Sequence, residues 1–316
     1  MVDRPAVDDL FGEARLGLGC MALSGLFGHV DRRSAIRTIH HALELGVRHF
    51  DTAELYGPYV NEEVLAEALA SSVGRAVVAT KVGYRLIDGK IAGLDSRPDS
   101  LRLAVEGSLR RLRRDRIDLV YQHRQDPAVS VEEAIGALAR LQAEGKIGGI
   151  GLSAIDRVTL ARAGAVATIA AVQNEYSLLH REPECALLGA VADSATAFVA
   201  YSPLARGLLS GTARSWPQQA SDDYRRSDER FAPDRLAAIT DAAAVLHDIA
   251  ANRQVAVPVV ALSWLLGRSR NLAVIPGCRS VAQVTLAIEA VSFELSAEEG
   301  KRLEALIRQF GQDSVT

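Results

Sequence analysis

Ala76-Val77-Val78-Ala79-Thr80-Lys81 is a run of small and β-branched residues that stops on a lysine. The run has almost no polar face, which suits a strand covered on both sides, as strands of parallel sheets are. Its last residue is out of character for the chain. Of the 36 basic residues only Lys81, Lys90, Lys146 and Lys301 are lysines, and the rest are arginines. A lysine presents a compact charge whose pKa shifts readily, and a guanidinium does not.

The same pattern recurs on both sides. Val47-Arg48-His49-Phe50 leads to Asp51 and then Tyr56, and Ile117-Asp118-Leu119-Val120-Tyr121-Gln122 leads to His123. Candidate strands fall at residues 16–20, 47–51, 76–81, 117–123, 147–153, 169–174, 197–201 and 272–275. Amphipathic helical stretches separate them. Ile36, Ile39 and Leu43 share a face after Asp31, a candidate N-cap. Leu101, Val105, Leu109 and Leu112 follow Pro98, and Ile135, Leu138 and Leu141 run from Ser130 to Gly145. Eight such pairs predict a (β/α)₈ TIM barrel, a parallel eight-stranded barrel with additional helices near 234–252, 257–268 and 296–310. An open doubly wound sheet is the alternative, because strand count alone does not close a sheet. One domain spanning 1–316 accommodates the pattern. Residues 206–234 are polar and irregular, which predicts a lid-like loop after the seventh strand.

Composition narrows the function. Apolar residues make up 48% of the chain and the net charge is −3, which fits a globular protein and gives no drive toward nucleic acid. The basic run Arg110-Arg111-Leu112-Arg113-Arg114-Asp115-Arg116 reads as a solvated helix end, where cations suit the dipole. Cys20, Cys185 and Cys278 show no metal or disulfide spacing, so a reducing cytoplasm is expected. The first residues carry Asp8, Asp9 and Glu13 and no apolar core, unlike a signal peptide, and no membrane association is expected. The sequence does not set an oligomeric state.

A barrel brings the carboxyl ends of its strands to one mouth. Those ends carry Asp51, Lys81, His123, Ser153, Gln173, Asn174, Tyr201 and Pro276-Gly277. Taken singly, Asp51 suits a loop, Tyr56 packing and His123 a structural role. Together they form a chemical unit. A phenol with a pKa of about 10 is a poor acid at neutral pH unless a cation stabilises its phenolate. Lys81 is expected to lower it, Asp51 to hold that ammonium, and His123 to orient a carbonyl. The unit suits protonation of the oxyanion formed when hydride adds to C=O.

Two glycine patterns, Gly17-Leu18-Gly19-Cys20-Met21-Ala22 and Gly149-Ile150-Gly151-Leu152-Ser153-Ala154, mimic a dinucleotide fingerprint. Neither has an acid about twenty positions on, and both are expected to serve close packing near strand ends. No tyrosine has a lysine four residues later, and no H-E-x-x-H occurs, so no catalytic metal is expected.

Seven stretches resemble signatures of the aldo-keto reductase superfamily. They are Asp51-Thr52-Ala53-Glu54-Leu55-Tyr56-Gly57, Lys81, Tyr121-Gln122-His123-Arg124, Gly151-Leu152-Ser153, Gln173-Asn174-Glu175-Tyr176-Ser177, Tyr201-Ser202-Pro203-Leu204 and Ile275-Pro276-Gly277. The resemblance implies a (β/α)₈ barrel that binds NADPH without a dinucleotide-binding domain. It implies Tyr56 as general acid, Lys81 and Asp51 as its partners, and His123 as the carbonyl-orienting residue. It puts the nicotinamide carboxamide on Ser153 and Gln173 and the nicotinamide ring on Tyr201. The pyrophosphate falls to Ser202, Leu204 and Arg206, and the 2′-phosphate to Gly277, Arg279 and Gln283. The chain departs from the pattern at Ala154, Cys278 and Ala287, where the family commonly has Asn, Ser or Thr, and Asn.

The expected substrate is a small aldehyde or ketone, with Met21, Phe27, Tyr84 and Arg124 on the pocket wall. Two other readings stay open. One is an NADPH-binding regulatory barrel with little turnover. The other is a Schiff-base lyase using Lys81, which the neighbouring Asp51 disfavours because it would keep the amine charged.

Overall fold

The computed structural model describes residues 6–25, 28, 30–72, 74–192, 194–211, 225 and 228–310. Eight parallel strands form one sheet: β1 (Gly17–Gly19), β2 (His49–Asp51), β3 (Val77–Val82), β6 (Ile117–Gln122), β7 (Ile147–Ser153), β8 (Ile169–Glu175), β9 (Ala197–Tyr201) and β10 (Leu272–Val274). A hairpin of β4 (Tyr84–Ile87) and β5 (Lys90–Leu94) rises between β3 and β6. The sheet closes on itself. Leu16 bridges Val274 and Gly19 bridges Gly277, both in parallel, and the Gly19 N–H donates to the Pro276 carbonyl at 3.1 Å. The barrel is therefore the architecture, and the open sheet is excluded.

The barrel strands are buried, and most of their residues are apolar on both faces. Val78, Ala79 and Val82 in β3 and Leu119, Val120 and Tyr121 in β6 are almost wholly inaccessible. Helices cover the outside. Arg32–Glu44 starts where the Asp31 carboxylate accepts the Ser34 N–H at 3.0 Å, and Val131–Ala143 starts where the Ser130 hydroxyl accepts that of Glu133 at 3.2 Å. Pro98 opens Pro98–Leu112, where a missing N–H costs nothing.

The two glycine patterns serve packing. A Cβ on Gly151 would meet Tyr121 Cδ1 at 2.3 Å, and one on Gly19 would meet the Ile275 carbonyl oxygen at 2.7 Å. Bare backbone there lets neighbouring strands fill the barrel interior. At the floor, the short helix Ala6–Phe11 lies across β9 and β10, and its Val7 N–H donates to Asn271 Oδ1 at 3.1 Å. Phe11 stacks on His49, with ring centroids 3.8 Å apart. Later helices include Pro233–Arg253, Val257–Leu266 and Ala297–Phe310. Among the described residues no single helix is long and apolar enough to cross a membrane.

Candidate active site

Strand ends converge at the mouth opposite that floor. Asp51 ends β2, and the chain then turns along β3. The Thr52 N–H donates to the Ala79 carbonyl at 2.8 Å and the Glu54 N–H to the Lys81 carbonyl at 3.2 Å. This turn carries Tyr56 back over the mouth. Asn61 fixes it from behind, accepting from the Thr52 hydroxyl at 2.6 Å and donating to the Cys20 carbonyl at 2.8 Å.

Lys81 sits at the centre. Its ammonium donates to Asp51 Oδ1, to the Thr52 carbonyl at 2.9 Å and to the Tyr56 hydroxyl at 3.0 Å. The second carboxylate oxygen of Asp51 accepts from Gln173 Nε2 at 2.7 Å. Burial is the largest single influence and opposes the ammonium, but the Asp51 carboxylate and the Tyr56 oxygen together outweigh it and hold the Lys81 pKa above its ordinary value. Burial raises the Tyr56 phenol, and the nearby Lys81 charge draws it back only in part. The expectation that Lys81 brings this phenol below its usual value is thus corrected: desolvation is the larger effect.

His123 meets Tyr56 edge-on at 6.1 Å between ring centroids, and Tyr84 edge-on at 5.0 Å. Burial, then the Lys81 and Arg124 charges, push the imidazole well below its ordinary pKa, so it is neutral at pH 7. Its buried Nδ1 has no hydrogen-bond partner among the described residues.

The other residues expected from sequence lie around this centre. Ser153 ends β7 and its hydroxyl accepts from Arg124 Nη1 at 3.2 Å. The Arg124 guanidinium lies 6.0 Å from the centre of the Tyr201 ring. Ser202, Leu204 and Arg206 follow β9, with left-handed backbone at Ser202, Ala205, Arg206 and Gly207. Such a winding segment orients amides toward an anion, and non-glycine residues adopt it at a cost of about 1 kcal/mol or more each. Gly277 and Arg279 follow β10. The Arg279 N–H donates to Gln283 Oε1 at 2.7 Å at the start of helix Val281–Ser292. A Cβ on Gly28 would stand 3.2 Å from Arg279 Nη1, so that chain segment approaches the same corner. Met21 lies half-buried in the turn Cys20–Ser24 after β1. Phe27 lies outside the described residues, as do 212–224, 226 and 227 of the expected lid. The described part of that loop is tied down by ions. Asp228 pairs with Arg206 and Arg230, and Arg230 also pairs with Glu175 at the end of β8.

Several supporting groups were not anticipated. Glu54 accepts from the Gly83 N–H at 3.2 Å and lies close to Glu62, which in turn binds Thr80 at 2.7 Å and Arg111 at 2.5 Å. Gln173, expected at a carboxamide, also restrains Asp51. The only sequence signal for these roles was proximity to Asp51 and Lys81. Among the described residues no group of three His, Cys, Asp or Glu is arranged to hold a metal ion.

The aldo/keto reductase family model matches residues 15–308. Glycerol dehydrogenase AKR11B4 from Gluconobacter oxydans has a similar structure, with a TM-score of 0.87 and 30% identity over 96% of this chain and 94% of that one. Aldo-keto reductase AKR11C1 from Bacillus halodurans, in its holo form, matches with a TM-score of 0.73 and 29% identity over 92% and 91%. An aldo/keto reductase from Klebsiella pneumoniae, solved with NADP and acetate, matches at 0.72 and 25% over 93% and 91%.

Proposed function

The chain belongs to the aldo/keto reductase family, and from that premise we propose that it reduces an aldehyde or ketone to the alcohol, with NADPH as hydride donor and Tyr56 as proton donor. The observation that carries the reading is the Lys81 ammonium, bonded at once to Asp51, to the Thr52 carbonyl and to the Tyr56 hydroxyl at 3.0 Å. Because Lys81 donates to the phenol oxygen, the phenol's own proton is free to point into the mouth. It passes to the carbonyl oxygen as the O–H bond of Tyr56 breaks, and the adjacent ammonium stabilises the phenolate left behind. A raised phenol pKa keeps that proton in place until a stronger base, the alkoxide, forms. His123, neutral and opposite Tyr56, orients the carbonyl by donating one N–H to its oxygen.

NADPH, when bound, supplies the hydride. The residues that would hold it are Ser153 and Gln173 at the carboxamide, Tyr201 under the ring, Ser202, Leu204 and Arg206 at the pyrophosphate, and Gly277, Arg279 and Gln283 at the 2′-phosphate. The left-handed segment after β9 and the Arg279 corner suit two anionic groups. The Klebsiella relative solved with NADP supports the choice of cofactor.

The test is NADPH consumption against a panel of aldehydes and ketones. Turnover is expected with activated aldehydes. Cofactor binding without turnover on any carbonyl would contradict the reading and favour a regulatory barrel.

A further inference from the structure

The charges at the mouth do not cancel. Lys81 is matched by Asp51, and Arg206 and Arg230 are matched by Asp228 and Glu175. His123 carries no charge. Arg124 is the exception: among the described residues no carboxylate lies within ion-pair distance of it. It is half-buried between the ends of β6, β7 and β9, and both its hydrogen bonds use Nη1, one to the His123 carbonyl at 2.7 Å and one to Ser153 Oγ at 3.2 Å. Its Nε and Nη2 make no hydrogen bond among the described residues. That edge of a guanidinium is the one that grips a carboxylate with two parallel N–H···O bonds.

A neutral substrate covering Arg124 would strip water from a cation and return at most a hydrogen bond to an uncharged acceptor. An anionic one would replace that water with a charge-assisted pair. The site thus both attracts one class and penalises the other. We propose that Arg124 is a specificity-determining residue that receives a carboxylate carried by the carbonyl substrate, so that the substrates are oxo acids: aldehydes or ketones bearing a carboxylate. The assignment rests on the carbonyl-reductase reading above. Its chemistry adds no step to that reaction, since the carboxylate is bound and not transformed.

The experiment compares 4-carboxybenzaldehyde with its methyl ester, which differ in charge and hardly in shape. Wild type is expected to favour the acid in kcat/KM by about tenfold or more, the worth of one charged hydrogen-bonded contact. Arg124→Gln should collapse the acid-to-ester ratio toward one, through the KM of the acid, and Arg124→Lys should restore part of it. A wild-type ratio near one, or a ratio unchanged in Arg124→Gln, would overturn the proposal. If the ratio is unchanged while the directly measured NADPH affinity falls, Arg124 serves the cofactor carboxamide beside Ser153 instead. If wild type turns over neither aldehyde, the reductase reading fails separately. Calorimetric binding of the same two compounds to the NADPH-loaded chain then still decides Arg124: preference for the acid that Arg124→Gln abolishes supports it, and equal binding refutes it.

Discussion

Lys81 makes three bonds that an arginine could not make in the same space. A tetrahedral ammonium reaches a carboxylate, a carbonyl and a phenol at once, while a planar fork would split them. That choice was legible in the sequence as a lysine ending a strand in a chain that otherwise uses arginine. Glu54 was not legible, because a buried acid and a loop acid look alike in sequence. Burial first, then the Glu62 charge, move it from an ordinary 4.5 to about 7. The folded state therefore binds more protons than the unfolded one across that window, so stability falls as pH rises through it and stays lowered above it. Glu54→Gln keeps an oxygen for the Gly83 N–H and removes the charge. Its unfolding free energy relative to wild type should rise by about 2 kcal/mol between about pH 5 and about pH 8. Urea denaturation at both values checks this, and an equal effect at both would refute it.

At the scale of elements, buried parallel strands announce themselves because nothing polar can lie on either face. The runs at 147–153 and 197–201 match β7 and β9 end for end, and the other strands shift by one or two residues. The β4–β5 hairpin was missed although a signal existed: Asp88-Gly89, both with positive φ, between Leu86-Ile87 and Lys90-Ile91. Its strands are half-exposed and too short for a clear alternation. The floor helix Ala6–Phe11 spans only six residues, too few to display a helical period. It matters for stability because Phe11 seals His49, whose ring nitrogens have no partner at bonding geometry among the described residues. Burial pushes that imidazole down to about 3. Below about pH 6.5 only the unfolded chain takes up this proton, so stability falls as pH falls, by about 1.4 kcal/mol per unit. His49→Phe should lose between about 1 and 2 kcal/mol less than wild type on going from about pH 7 to about pH 5.5. Equal losses in chemical denaturation would contradict this.

At the scale of the whole molecule, barrel closure does the assembling. Gln173 and Asp51 stand 122 positions apart and share a hydrogen bond, because the strands that carry them open on one mouth. Periodicity supplied the strands and helices, the rule that barrel chemistry gathers at strand ends supplied the candidates at the mouth, and the family resemblance supplied those for the cofactor phosphates. Neither supplied the balance between desolvation and charge, which depends on depth below the surface. Hence Tyr56 was singled out in the sequence, while the direction of its pKa was not legible there. Proton donation by Tyr56 is read from the turnover number of Tyr56→Phe with NADPH and an activated aldehyde. It is expected to fall by about 10²–10⁴-fold with NADPH still bound, the usual worth of a positioned acid. Turnover at the wild-type rate would contradict that role.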